Sequence, residues 1–216
     1  MKKAIIFDFW GTVVEIGVHP SPIRQIKSLL NIDIPFSSYI IKFEDVFMKQ
    51  PYNNLFEAFT EVCKTFHVEP KKELLEELVG LWNKNKLLAK PFPETIEVLD
   101  ELSESGYKIV MLSNTDCFSI EDIIEKYDMK KYFDIIILSY EVNMLKSNPR
   151  IFQKVVDELG MTKEDVVMVG DSIESDIIGA KKAGVDAILV DRTETRDFKP
   201  KIKSLKELKE FLENEQ

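Results

Sequence analysis

Five short apolar runs recur along the chain, at residues 3–7, 108–112, 135–138, 166–169 and 187–190. They are rich in Ile and Val and lack the in/out alternation of a strand with one wet face, so they predict parallel strands covered by helices on both sides. Helical signals fall between them. Residues 93–105 stop at Gly106, Asp165 sits three residues after the capping candidate Thr162, and residues 172–183 stop at Gly184. Strand, helix, strand repeats of this kind predict an α/β, Rossmann-like doubly wound parallel sheet.

The first two runs are about 100 residues apart, where a plain strand–helix–strand unit takes about 30. Residues 20–88 hold no run of comparable strand quality but four amphipathic stretches, at 21–30, 39–49, 54–66 and 71–88. They predict a helical bundle inserted after the first strand. Residues 15–20, with Gly17 and Pro20, open it and Pro91-Phe92-Pro93 closes it, so both segments are candidate hinges. The expected division is a core of residues 1–14 and 90–216 and a helical cap of residues 15–89. Trp82, Phe43, Phe47, Phe56, Phe59 and Phe66 have helical spacing and are expected in the bundle core. In the tail, Leu205, Leu208, Phe211 and Leu212 predict a final helix within 199–216.

Composition narrows the class. A chain of 216 residues with 44% hydrophobic and 31% charged positions suits one soluble domain with an insert. No apolar run approaches the roughly 18 residues of a spanning helix, and an acid at Asp8 comes too early for a signal peptide, so a cytoplasmic protein is expected, with no membrane partner. Cys63 and Cys117 form neither a disulfide framework nor a metal pair and are expected as core thiols. The net charge of −9 disfavours nucleic acid as a partner. An anionic ligand therefore needs a local positive centre. The sequence does not separate a monomer from a homodimer.

Four segments place polar residues at strand ends, where a doubly wound sheet binds its ligands. Phe7-Asp8-Phe9-Trp10-Gly11-Thr12 ends a strand on an acid and turns through Gly-Thr. Met111-Leu112-Ser113-Asn114 ends one on a hydroxyl. Lys146 precedes Ser147-Asn148-Pro149 and a helix that Pro149 can start. Val169-Gly170-Asp171-Ser172-Ile173-Glu174-Ser175-Asp176 runs a buried strand into two acids five residues apart. Taken singly, each has a bland reading: a turn cap, a strand-end hydroxyl, a surface lysine, a helix-start acid.

In this order and spacing, the four segments resemble the motif set of the haloacid dehalogenase-like hydrolase superfamily, and the insert resembles that family's helical cap in its first insertion site. The resemblance implies strand order 3-2-1-4-5, which brings Asp8 and Asp171 together at the switch point. It further implies that Asp8 is a nucleophile forming an aspartyl-phosphate. Mg²⁺ would be held by Asp8, the Trp10 main-chain carbonyl, Asp171 and Asp176. Ser113, Asn114 and Lys146 would bind phosphate oxygens, with the turn of Trp10, Gly11 and Thr12 close by, and Ser113 and Lys146 would assist the chemistry.

One departure bears on mechanism. The family's phosphatases place a second Asp two residues after the nucleophile, as the general acid and base; here that residue is Trp10. Indole has no proton chemistry near neutrality, so its loss costs a factor of roughly 10² to 10⁴, or about 3 to 5 kcal/mol, for poor leaving groups. Aryl or acyl phosphates are thus expected to outrun alkyl monoesters. Glu15 and His19 in the hinge are candidate substitutes, with ordinary hinge roles as the bland alternative. Family dehalogenases have Tyr at the position of Trp10, which makes a metal-independent 2-haloacid dehalogenase the rival reading. Against it, the chain keeps Gly170-Asp171, has Tyr39 where dehalogenases have a cap arginine, with Arg24 too early to match, and has Phe152 in place of a tyrosine. Asn143 and Ser147 are further departures, expected to change loop shape only. The expectation is Mg²⁺-dependent hydrolysis of a small phosphorylated metabolite; a third reading is a non-catalytic phosphate- or metal-binding or interaction module, because Trp10 replaces the acid.

Overall fold

The computed structural model describes residues 2–214. The chain enters through β1 (Ala4–Phe7) and β2 (Val14–Glu15), passes through helices α1 (Pro22–Leu29), α2 (Phe36–Phe47), α3 (Leu55–Thr65) and α4 (Lys72–Leu88), and returns by β3 (Lys90–Pro91). It continues with α5 (Thr95–Glu104), β4 (Lys108–Ser113), α6 (Ile120–Lys126), β5 (Ile135–Leu138), α7 (Ser139–Val142) and α8 (Arg150–Leu159). Then come β6 (Val166–Gly170), α9 (Ile178–Ala183), β7 (Asp186–Val190), β8 (Lys201–Ile202) and α10 (Leu208–Asn214).

The main sheet runs β5-β4-β1-β6-β7-β8, and every pairing in it is parallel. The first five strands follow the anticipated 3-2-1-4-5 order, and β8 extends the sheet beyond β7. Because successive strand side chains point to opposite faces, each apolar run feeds two cores. Ile5 and Phe7 join Ile109, Met111, Val167 and Val169 under α5, α6 and α10, whereas Ala4 and Ile6 join Val110, Leu112, Val166 and Met168 under α8 and α9. Burial on both faces explains why the sequence shows unbroken runs rather than alternation.

Helices α1 to α4 enclose a third cluster around Tyr39, Phe43, Phe47, Phe59 and Trp82. Rings of Phe47 and Trp82 meet edge to face at 4.7 Å between centroids. Leu145 and Phe118, from loops at the sheet's carboxyl edge, pack into the same cluster. The two segments expected as hinges lie side by side as an antiparallel ribbon, Val14 opposite Pro91 and Glu15 opposite Lys90.

Several local expectations need correction. The Thr162 signal is a true capping box with Asp165, but it closes a single 3₁₀ turn leading into β6, too short for a helix. Residues 173–177 form a wide π turn before α9, with Ile177 N–H donating to Ser172 O across five residues. The tail forms β8 and a 3₁₀ turn before α10; its last two residues, 215 and 216, lie outside the described residues. Phe56 is 43% exposed and stands outside the bundle core. Cys63 is buried, while Cys117 is only half-buried, its thiol directed at Tyr52 O.

Candidate active site

Strand β1 is the central strand, flanked by β4 and β6, and the chain reverses its winding direction there, leaving a crevice at the carboxyl edge. Asp8 is the first residue past β1, and its N–H donates to Val169 O of β6 at 2.9 Å, which extends the ladder one step and fixes the carboxylate in the crevice. Asp171 is the first residue past β6. Gly11, at φ +79°, turns the chain in a conformation costly for other residues, and a Cβ there would lie 2.5 Å from Asp171 Oδ2. The Gly-Thr turn thus seats the two acids face to face. Similarly, a Cβ on Gly170 would lie 2.2 Å from Asp176 Oδ2, so only glycine lets that carboxylate fold back against the strand end.

One carboxylate oxygen from each of Asp8, Asp171 and Asp176 lies within 4.8 Å of the others. Lys146, 2% exposed, reaches into the cluster with Nζ 2.5 Å from Asp8 Oδ1 and 2.6 Å from Asp176 Oδ1. Asp176 Oδ2 accepts the Ser172 N–H at 2.9 Å, and Thr12 Oγ1 donates weakly to Asp8 Oδ2 at 3.4 Å. Ser113 ends β4 fully buried, its hydroxyl 3.5 Å from Asn114 O.

The electrostatics follow from packing three acids around one ammonium. Burial, opposed by Lys146, pushes the Asp8 carboxyl up to about 7. Burial, reinforced by the charges of Asp8 and Asp176, pushes Asp171 up to about 8. Although burial works against its charge, Asp176 and Asp8 hold Lys146 protonated, above the usual lysine range. A set of hard carboxylate oxygens carrying more negative charge than Lys146 neutralises is what a divalent cation such as Mg²⁺ requires, so the residues fit that ion.

Trp10 lies on the same turn, but its side chain is committed elsewhere: Nε1 donates to Thr115 Oγ1 at 3.1 Å and the ring meets Phe9 edge to face. Asn114 is tied in by its side chain. Its Oδ1 accepts the Lys146 N–H at 2.9 Å, and its Nδ2 donates to Glu44 Oε2 at 2.8 Å. Glu44 belongs to α2 and is 9% exposed. The hinge candidates stay at the surface: His19, 67% exposed, is 3.9 Å from Glu15, which also faces Lys90 at 3.7 Å.

Sequence reasoning missed three residues here. Glu44 sits between Phe43 and Asp45 at the edge of the buried stripe of α2, and nothing local shows that the sheet edge covers it. Asp116 lies in the loop after β4, where it accepts Trp82 Nε1–H at 3.1 Å, Phe118 N–H at 2.8 Å and the Ser119 hydroxyl at 3.0 Å. Arg196 donates to the carbonyl of Asp171 from the 191–200 loop. Each is recruited by tertiary contact, whereas the acids and glycines at strand ends, Ser113, Asn114 and Lys146 stand where the sequence pattern marks them.

A doubly wound sheet with a carboxylate cluster at its switch point defines the class: an α/β enzyme with its site at the carboxyl ends of the central strands. Residues 2–184 match the haloacid dehalogenase-like hydrolase family, and the chain belongs to it. It is similar to the glyceraldehyde 3-phosphate phosphatase of Methanothermobacter thermautotrophicus, 29% identical over 196 residues, which cover 88% of this chain and 86% of that one. It is also similar to (S)-2-haloacid dehalogenase 4A of Burkholderia cepacia, 26% identical over 158 residues, covering 70% and 66% of the two chains. In fold it superposes on L-2-haloacid dehalogenase of Xanthobacter autotrophicus with a TM-score of 0.69 across all of both chains, at 18% identity.

Proposed function

We propose that the protein is a Mg²⁺-dependent phosphatase of small phosphorylated metabolites that works through an aspartyl-phosphate on Asp8. The observation that carries this reading is the cluster itself: three carboxylates within 4.8 Å, with Lys146 bridging two of them. The Asp8 carboxylate oxygen attacks phosphorus, the ester P–O bond breaks, and water later cleaves the acyl phosphate to restore Asp8. Lys146, with Ser113 and the Asn114 backbone, binds phosphoryl oxygens and offsets their growing charge. Thr12 orients the nucleophile and the turn through Trp10 and Gly11 shapes the phosphate seat. Asp8, the Trp10 carbonyl, Asp171 and Asp176 would hold Mg²⁺, which would supply positive charge to offset the negative charge of the phosphoryl group. Residues 15–89 form a cap that closes over the substrate on the 15–20 and 91–93 hinges. The relative named as a glyceraldehyde 3-phosphate phosphatase makes that three-carbon monoester the first substrate to try.

The dehalogenase alternative gains little from the geometry. Tyr39, at the position of the dehalogenase arginine, is buried among Phe36, Phe43 and Phe66. Arg24 stacks on Phe36 at 3.7 Å. The test is hydrolysis of 4-nitrophenyl phosphate and glyceraldehyde 3-phosphate with Mg²⁺ and with EDTA. Turnover that needs Mg²⁺ and is abolished in Asp8→Asn is expected. Halide release from a 2-haloacid in EDTA, with no phosphatase activity, would overturn the proposal.

A further inference from the structure

Resting on the phosphatase reading, we infer that Glu44, delivered by α2, is the general acid and base of this site, in place of the residue two past Asp8. The first support is what Trp10 does instead: its indole N–H is bonded to Thr115, and indole has no group that exchanges a proton near neutrality. The second is placement. Asn114 joins Glu44 to the backbone of Lys146, whose ammonium touches Asp8, so Glu44 is one side chain removed from the nucleophile's own partner. Phosphoryl transfer is roughly in line. The leaving oxygen therefore departs on the side away from Asp8, and Glu44 is the buried carboxyl that the helical insert adds to the site, near enough for the charges of Lys146, Asp176 and Asp8 to act on it.

Third, the environment of Glu44 differs from that of the other buried acids. Asp8 and Asp176 are paired with Lys146, Asp191 with Lys201, and Glu94 with Arg192. Asp116 takes three hydrogen bonds at the start of α6. Glu44 has one bond, from a neutral amide, and no ion pair among the described residues. Burial raises its pKa to about 7; Lys146 and the Asn114 bond pull it down, and Asp176 and Asp8 push it up. Elsewhere α2 packs against the apolar side chains of Phe59, Val62 and Trp82. A carboxyl holding its proton near neutrality is what acid catalysis at physiological pH needs.

The proton balance closes without a co-reactant. As Asp8 forms its bond to phosphorus and the ester P–O bond breaks, the Glu44 carboxylic acid gives its proton to the departing alkoxide, which leaves as the alcohol. Glu44, now a carboxylate, takes a proton from the attacking water as that oxygen bonds to phosphorus. The Asp8–phosphorus bond breaks, and Glu44 is again an acid.

The test is kcat/KM, which reports steps through the first phosphoryl transfer, for a series of phosphates whose leaving groups run from nitrophenol to a primary alcohol, on wild type and Glu44→Gln with Mg²⁺. Glutamine keeps the bond to Asn114 through its carbonyl oxygen but cannot supply the proton. Wild type should handle the whole series within about tenfold, because a protonated leaving group makes the rate insensitive to its basicity. Glu44→Gln should lose about 100-fold or more on the alcohol ester while changing less than about fivefold on the nitrophenyl ester. With the nitrophenyl ester it should also release one equivalent in a burst and then stall, because water lacks its base. A uniform loss or no loss in Glu44→Gln overturns the assignment of Glu44 and leaves the phosphatase reading standing. So does a wild type that already discriminates about 100-fold against the alcohol ester, a measurement independent of how the variant folds. A wild type inert on the entire series with Mg²⁺ overturns the phosphatase reading, and this inference with it.

Discussion

Lys146 shows how much of the site turns on one side chain. Its ammonium is the cation within reach of both Asp8 and Asp176, and all three groups are almost fully shielded from water. Replacing it by methionine keeps the volume of the stem and leaves two buried carboxyls without their partner. Breaking a buried pair on one side costs about 3 to 5 kcal/mol. Urea unfolding of Lys146→Met in EDTA near neutrality should show a loss of that size, together with loss of phosphatase turnover; a change below about 1 kcal/mol would mean that the acids find protons or solvent without effort. At this scale the sequence exposed the residues that stand at strand ends. Asp8, Asp171, Asp176 and Lys146 follow apolar runs or precede a proline-started helix, and the structure brings them into one cluster. Glu44 could not be read the same way, because on a helix wheel it is an acid beside a buried stripe, and what covers it comes from residue 114, far along the chain.

Elements were legible wherever local pattern and tertiary demand agree. The five long parallel strands and helices α1 to α4 fall within a few residues of the spans that the apolar pattern marks, since burial of both faces or of one helical stripe leaves a strong periodic trace. Strand β8 is two residues long and contributes Ile202 to the core, too little for a pattern. The π turn at 173–177 is invisible for another reason: it carries the bond that the Ser172 N–H donates to the Asp176 carboxylate, a tertiary feature of the site that helix propensity does not encode. The contact between α4 and the loop after β4 is likewise tertiary. Trp82, 4% exposed, gives its N–H to Oδ2 of Asp116, 1% exposed, while Oδ1 serves Phe118 and Ser119. Trp82→Phe removes the donor of Oδ2 and part of the ring volume, so it should cost about 2 to 3 kcal/mol. Chemical denaturation measures this, and a loss under about 1 kcal/mol would show that the contact contributes little to holding α4 on the sheet edge.

The molecule as a whole should report its carboxylate cluster through the pH dependence of its stability. Asp8 and Glu44 are pushed up to about 7 and Asp171 to about 8, all above the ordinary carboxyl range, with burial as the leading cause. A group whose folded pKa is raised holds a proton that the unfolded chain has already released. Its contribution to stability is therefore complete below about pH 4 and is lost as pH climbs through 7 to 8. Carboxyls held low by partners, such as Asp165 and Asp191 at about 2, act in the opposite sense but only below about pH 4, so across the higher window they are constant. Protein stripped with EDTA should thus show a Tm that declines from about pH 5 to about pH 8. Under the proposed function Mg²⁺ would bind the ionised carboxylates of Asp8 and Asp171 and compete with their protons, so the Tm gained on adding it should grow over the same interval. Asp171→Asn should flatten much of the decline and remove most of the Mg²⁺ gain, which separates the cluster from the general repulsion of a chain carrying a net charge of −9. Scanning calorimetry at about pH 5 and about pH 8, with and without Mg²⁺, decides the matter: a gain that is equal at both, or a stripped protein whose Tm rises with pH, would show that Asp8 and Asp171 do not hold protons that a divalent ion must displace.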